Sequence, residues 1–140
     1  MPFRLAVFTL LLCGPCGAAP GVVPIAKARN WSGNYLFTLM NAVPPSASGE
    51  TLCLTVTQSG GILGNPVSGT WTTPSLPQPG QFTQQGQRFI FVYADQNQSI
   101  FVEIPITGGA ITTGYFVLGA PTREGGVSET ADLAIAAGGC

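Results

Sequence analysis

"RFIFVYADQNQSIFVEIPITGGAITTGYFVL", residues Arg88 to Leu118, is the stretch that decides the fold. Three runs with apolar residues at every second position are separated by two groups of turn formers, Asp95-Gln96-Asn97-Gln98 and Gly108-Gly109. A period of two marks strands, because successive side chains of an extended chain point to opposite faces. With Gln96-Asn97 at the first turn, Tyr93 faces Ile100, Phe91 faces Val102 and Phe89 faces Ile104. A slip of one residue would set those aromatics against Ser99, Phe101 and Glu103. Gly108-Gly109 tolerates the positive φ of a tight hairpin. It predicts Ile106 opposite Ile111, Val102 opposite Tyr115 and Ile100 opposite Val117. All of these belong to one core face.

The other face of the same three strands is also apolar. This register gathers Ile90, Val92, Phe101, Phe116 and Leu118 there, with Arg88 and Glu103 on diagonal positions where they can pair. A sheet with one wet face should alternate apolar with polar residues. A second greasy face is therefore expected either to bind a partner or another copy, or to be covered by loops or the N-terminal lead-in.

The same punctuation extends outward. Further strands are expected at Trp31–Met40, Thr51–Gln58, Val67–Thr73 and about Thr130–Ala137. The last of these, "ETADLAIAA", alternates like a strand but is alanine-rich like a helix. Two long loops, "NAVPPSASG" and "PSLPQPGQFTQQGQ", interrupt the strands, and connections of that length in a compact domain tend to be functional. The expected fold is all-β: an antiparallel meander closed into a barrel of seven or eight strands, with a sandwich as the alternative.

The first residues set a compartment. Arg4 precedes the apolar run "LAVFTLLL" and the small-residue stretch "CGPCGAAPG", the order of a secretory signal peptide, with cleavage expected after Ala18. Residues 19–30 then form an extended lead-in and 31–140 a single β-domain. Removing the leader leaves two of the four cysteines, Cys53 and Cys140, which are expected to form an intramolecular disulfide in a secreted or periplasmic protein, with an intermolecular bridge or two free thiols as the alternative. It also leaves four basic against six acidic residues. That balance offers no basic stripe for nucleic acid or anionic membranes, and the mature chain holds no expected membrane span.

Chemistry is sparse. The chain has no histidine, so Ser-His, Cys-His and His-based metal sites are absent, and nothing asks for a cofactor. The acids fall mostly in turns or at loop edges, and Glu103 has Arg88 for a partner. The expectation is a non-enzyme. Trp31 at the start of the first strand reads as a plug for one barrel end. Alternatively, Trp31, Tyr35 and Trp71 line a pocket for a small apolar or sugar-like ligand, with Gln78, Gln81, Gln84 and Gln85 at its mouth. "NWS" at Asn30 and "NQS" at Asn97 are glycosylation acceptors where the machinery exists.

This tryptophan-first β layout resembles the small calycin barrels, lipocalins and avidins among them, in outline. The lipocalin Gly-x-Trp is missing, since Arg29-Asn30 precede Trp31, and the polar biotin ligands of the avidins find no match. No functional residue is carried over. The expected function is binding of a ligand or protein partner, through a mouth pocket or the apolar outer face. A self-assembling structural subunit is the alternative. An outer-membrane barrel fits less well, because most of the strands are shorter than the 9–11 residues a membrane requires.

Overall fold

The computed structural model describes residues 29–61, 66–119 and 126–140. Its eight strands are β1 (Gly33–Val43), β2 (Thr51–Gln58), β3 (Ser68–Thr72), β4 (Gly80–Gln84), β5 (Arg88–Ala94), β6 (Ser99–Pro105), β7 (Thr113–Gly119) and β8 (Val127–Ala137). Each pairs antiparallel with its neighbours in the chain, and β8 returns to β1 to close the barrel. The closed meander is the expected fold; the sandwich is excluded. Among the described residues no helix is long and apolar enough to cross a membrane.

The alanine-rich C-terminal segment is strand. β8 pairs with both β1 and β7, and its alternation buries Ala131, Leu133 and Ile135 against the core. Two ladders outweigh local helix propensity. One strand was hidden: β4 lies within the segment read as a loop. Its single large apolar residue, Phe82, is buried, flanked by glutamines and threonine that face away or edge the barrel.

The β5–β6 register is as expected, with Phe89 opposite Ile104, Phe91 opposite Val102 and Tyr93 opposite Ile100. Arg88 donates to Glu103 at 3.1 Å across the outer face. The β6–β7 register is corrected. Thr107 and Ala110 bridge across Gly108-Gly109 as a tight turn requires, but Val102 then pairs with Phe116 and Ile100 with Leu118. One extra residue has been taken up on the β7 side around Ile111-Thr112, as in a β-bulge, and each β7 side chain changes face. Phe116 is consequently 5% exposed and Leu118 packs on the core, while Tyr115 is 45% exposed. The outer apolar strip is Ile90, Val92 and Phe101 with Tyr115 and Val117, in place of Phe116 and Leu118.

A bridge secures the barrel seam. After β8 the chain turns at Gly138, whose N–H donates to the Asn34 carbonyl at 2.7 Å. Gly139 then passes so close to Leu36 that a Cβ would not fit. Cys140 reaches Cys53 on β2, with the Cα atoms 5.7 Å apart. The last strand is thus clipped across the outside of β1 onto β2. That is why a cysteine stands on the outward, threonine side of β2. Cross-linking residues 87 apart restricts the unfolded chain by about 4–5 kcal/mol in the chain-entropy model. Such a bridge fits an oxidising compartment. The expected signal peptide and all of the lead-in before Arg29 lie outside the described residues.

Candidate functional site

An aromatic column runs through the interior. Trp31 meets Phe89 edge-on at 5.0 Å, Phe89 meets Phe82 at 5.9 Å, Phe82 stacks on Phe91 at 5.1 Å, and Phe91 meets Trp71 at 6.2 Å. Such ring pairs each add about 0.5–1.5 kcal/mol beyond their area. The two ends of this column differ.

At the end where β1 begins, Trp31 is a plug. Its backbone N–H donates to Gln58 Oε1 at 2.8 Å, and its backbone carbonyl accepts from the Tyr35 hydroxyl at 2.8 Å. The Arg29 guanidinium lies over the indole, 4.2 Å from the ring centroid. Burial pushes the Tyr35 hydroxyl pKa up, with Arg29 opposing. Beneath this lid, among Tyr35, Val56 and Phe82, remains a void of about 10 Å³, no more than one water.

At the other end the barrel is open. A cavity of about 300 Å³ enters between β1, β2, β6 and β7, at the small end of the range for small-molecule sites. Its walls are Leu39, Leu52, Leu54, Ile100 and Leu118; Trp71 and Phe116 lie at its inner side. Trp71 is held by its indole N–H, which donates to the Gln81 carbonyl at 3.1 Å. Opposite it on β4 stands Gly80, where any Cβ would run into the indole. Leu76 reaches the rim from the β3–β4 loop, in a turn closed by its N–H to the Thr73 carbonyl at 3.1 Å. Thr73, Ser75 and Gln98 add hydroxyl and amide groups.

Two carboxylates complete the lining, Glu50 and Glu129. Glu50 precedes β2 in line with the inward Leu52, Leu54 and Val56, and its carbonyl accepts from Leu39 N–H at 2.9 Å. Glu129 lies on β8 in line with the inward Ala131, Leu133 and Ile135. Burial, and then the charge of Glu50, raise the Glu129 pKa above the usual carboxylate range. Acids at loop edges read as solvated from sequence; strand parity is the signal that puts Glu50 and Glu129 on the cavity side.

The aromatic residues expected to share a pocket are divided between the ends. Trp31 and Tyr35 close one, and Trp71 lines the other. The loop glutamines are similarly scattered: Gln81 lies on β4, Gln84 donates to the Gly86 carbonyl, and Gln85 precedes β5 at the closed end. None of Gln78, Gln81, Gln84 or Gln85 lines the cavity. On the β5–β6 turn, Asp95 accepts from the Tyr93 hydroxyl and from the N–H groups of Asn97 and Gln98. These bonds lower the Asp95 pKa, and Tyr93 is pushed up to about 12. Asn30 and Asn97 are both exposed. Among the described residues no group of three or more His, Cys, Asp or Glu is placed to hold a metal.

No protein-family model matches this chain, and no curated protein or solved structure is significantly similar to it.

Proposed function

We propose that this protein is an exported, non-enzymatic binding barrel that holds a small, largely apolar ligand in the cavity at its open end. One observation carries the reading: a 300 Å³ recess walled by leucine and isoleucine and floored by Trp71, against a void of about 10 Å³ beneath the plug at the other end. Export is supported by the leader-like N-terminus and the Cys53–Cys140 bridge. A binding role rather than catalysis is supported by the missing histidine and by the predominance of hydrocarbon over the few polar groups, Thr73, Ser75 and Gln98, that share the cavity with Glu50 and Glu129. The outer strip of Ile90, Val92, Phe101, Tyr115 and Val117 is bordered by the Arg88–Glu103 pair, and the wider groove of about 550 Å³ that Ile90 and Val92 help to line is shared with the polar Ser68, Thr70, Gln81 and Thr83.

The test uses a Trp31→Phe variant, in which Trp71 is the one remaining tryptophan, titrated with the neutral fluorophore N-phenyl-1-naphthylamine. Saturable energy transfer from Trp71 to the bound dye is the expected result. Absence of saturable binding overturns the reading. Light scattering after size exclusion should show a monomer. A concentration-dependent oligomer that Phe101→Ser dissociates would move the function to assembly through the outer strip.

A further inference from the structure

We propose, building on the reading of the open end as a ligand site, that its ligand is a small organic cation. The apolar body lies in the cavity and an ammonium group sits between Glu50 and Glu129. Glu50, just before β2, and Glu129, on β8, line the cavity from the two sides of β1, beside the same hydrocarbon wall. Neither side chain has a hydrogen-bond or ion-pair partner among the described residues. The third acid at this end, Asp95, is occupied by Tyr93 and its own turn. The described cations lie at the opposite end: Arg29 covers Trp31, and Arg88 is paired with Glu103. Residues 120–125, outside the described structure, carry Arg123 and Glu124 and so add no net charge.

Like charges beside a low-dielectric cavity repel each other and penalise any anionic guest. Burial first, and this repulsion from Glu50 second, raise the Glu129 pKa. An ammonium removes it and donates charge-assisted hydrogen bonds to both oxygens. Two carboxylates fall well short of the six to eight oxygens that calcium takes, and a bare ion leaves the hydrocarbon recess empty. An alkylammonium uses both halves.

Calorimetric titration of the full mature chain with octylammonium, 1-octanol and octanoate tests this. The expected order is ammonium, then alcohol, then carboxylate, with ammonium favoured over alcohol roughly tenfold. In Glu50→Gln/Glu129→Gln that ratio should fall to about one. Equal affinity for ammonium and alcohol, or a preference that survives the double substitution, overturns the proposal while leaving the apolar pocket standing. If none of the three binds, the pocket reading itself fails.

Discussion

Where β1 begins, the barrel is stoppered by the Trp31 indole, whose backbone is tied by two hydrogen bonds and whose ring is capped by a guanidinium, over a void of about 10 Å³. Where β2 begins, the same eight strands surround about 300 Å³ of space, with two carboxylates at its edge that have no partner among the described residues. The tail clip over β1 spans the two halves, since Cys140 follows the end of β8 while Cys53 stands between the cavity-lining Leu52 and Leu54. One end of the barrel is therefore packed and tied, and the other is left unfilled. Packing rules alone explain the first half. An interior normally fills to crystal-like density, so an apolar recess kept open is the feature that calls for a function.

That contrast can be broken in graded steps. The largest effect is expected from Cys53→Ser/Cys140→Ser, which should lower unfolding free energy by about 4–5 kcal/mol, read as a shifted urea midpoint. Trp31→Ala should cost about 3–4 kcal/mol, because it removes a ring packed on Phe89 and opens the plugged end. Leu76→Ala, half-buried at the mouth, should cost about 1 kcal/mol or less, yet weaken N-phenyl-1-naphthylamine binding at least threefold. If Leu76→Ala proved as destabilising as Trp31→Ala, the two ends would be equivalent and the comparison would collapse.

The smallest effect concerns charge. The folded-state pKa of Glu129 is raised, so the folded protein keeps that proton to higher pH than the unfolded chain does. Its contribution to stability is present below the unfolded pKa and lost as pH rises through the folded value. Glu129→Gln should therefore raise the neutral-pH melting temperature slightly, by no more than about 0.5 kcal/mol equivalent. Asp95 runs the other way: its lowered pKa contributes stability that is lost as pH falls through the folded value. A thermal-melt series against pH, with and without Glu129→Gln, separates the two.

How far the residues announced this arrangement depended on pattern length. The β5–β6 hairpin has seven-residue strands with large side chains on every inward position, and its register could be assigned pair by pair. β4 has one large inward residue in five, too few to show a period against the surrounding Pro and Gln. The β6–β7 turn was foreseeable from its glycines. The bulge after it was not, because Ile111, Tyr115 and Val117 form as apolar a set as Phe116 and Leu118, so hydrophobicity did not discriminate between the two faces. Trp31 as a plug could be anticipated from its place before β1. The cavity could not, since it depends on how Glu50 and Leu76, both at the ends of long loops, are brought to the rim of one barrel.

The most direct test follows the two indole N–H resonances by ¹H–¹⁵N NMR while N-phenyl-1-naphthylamine is added. Movement of the Trp71 signal with Trp31 unchanged is what an occupied open end and a sealed opposite end require. Movement of Trp31, or of neither, would contradict the division of the barrel on which every functional statement above stands.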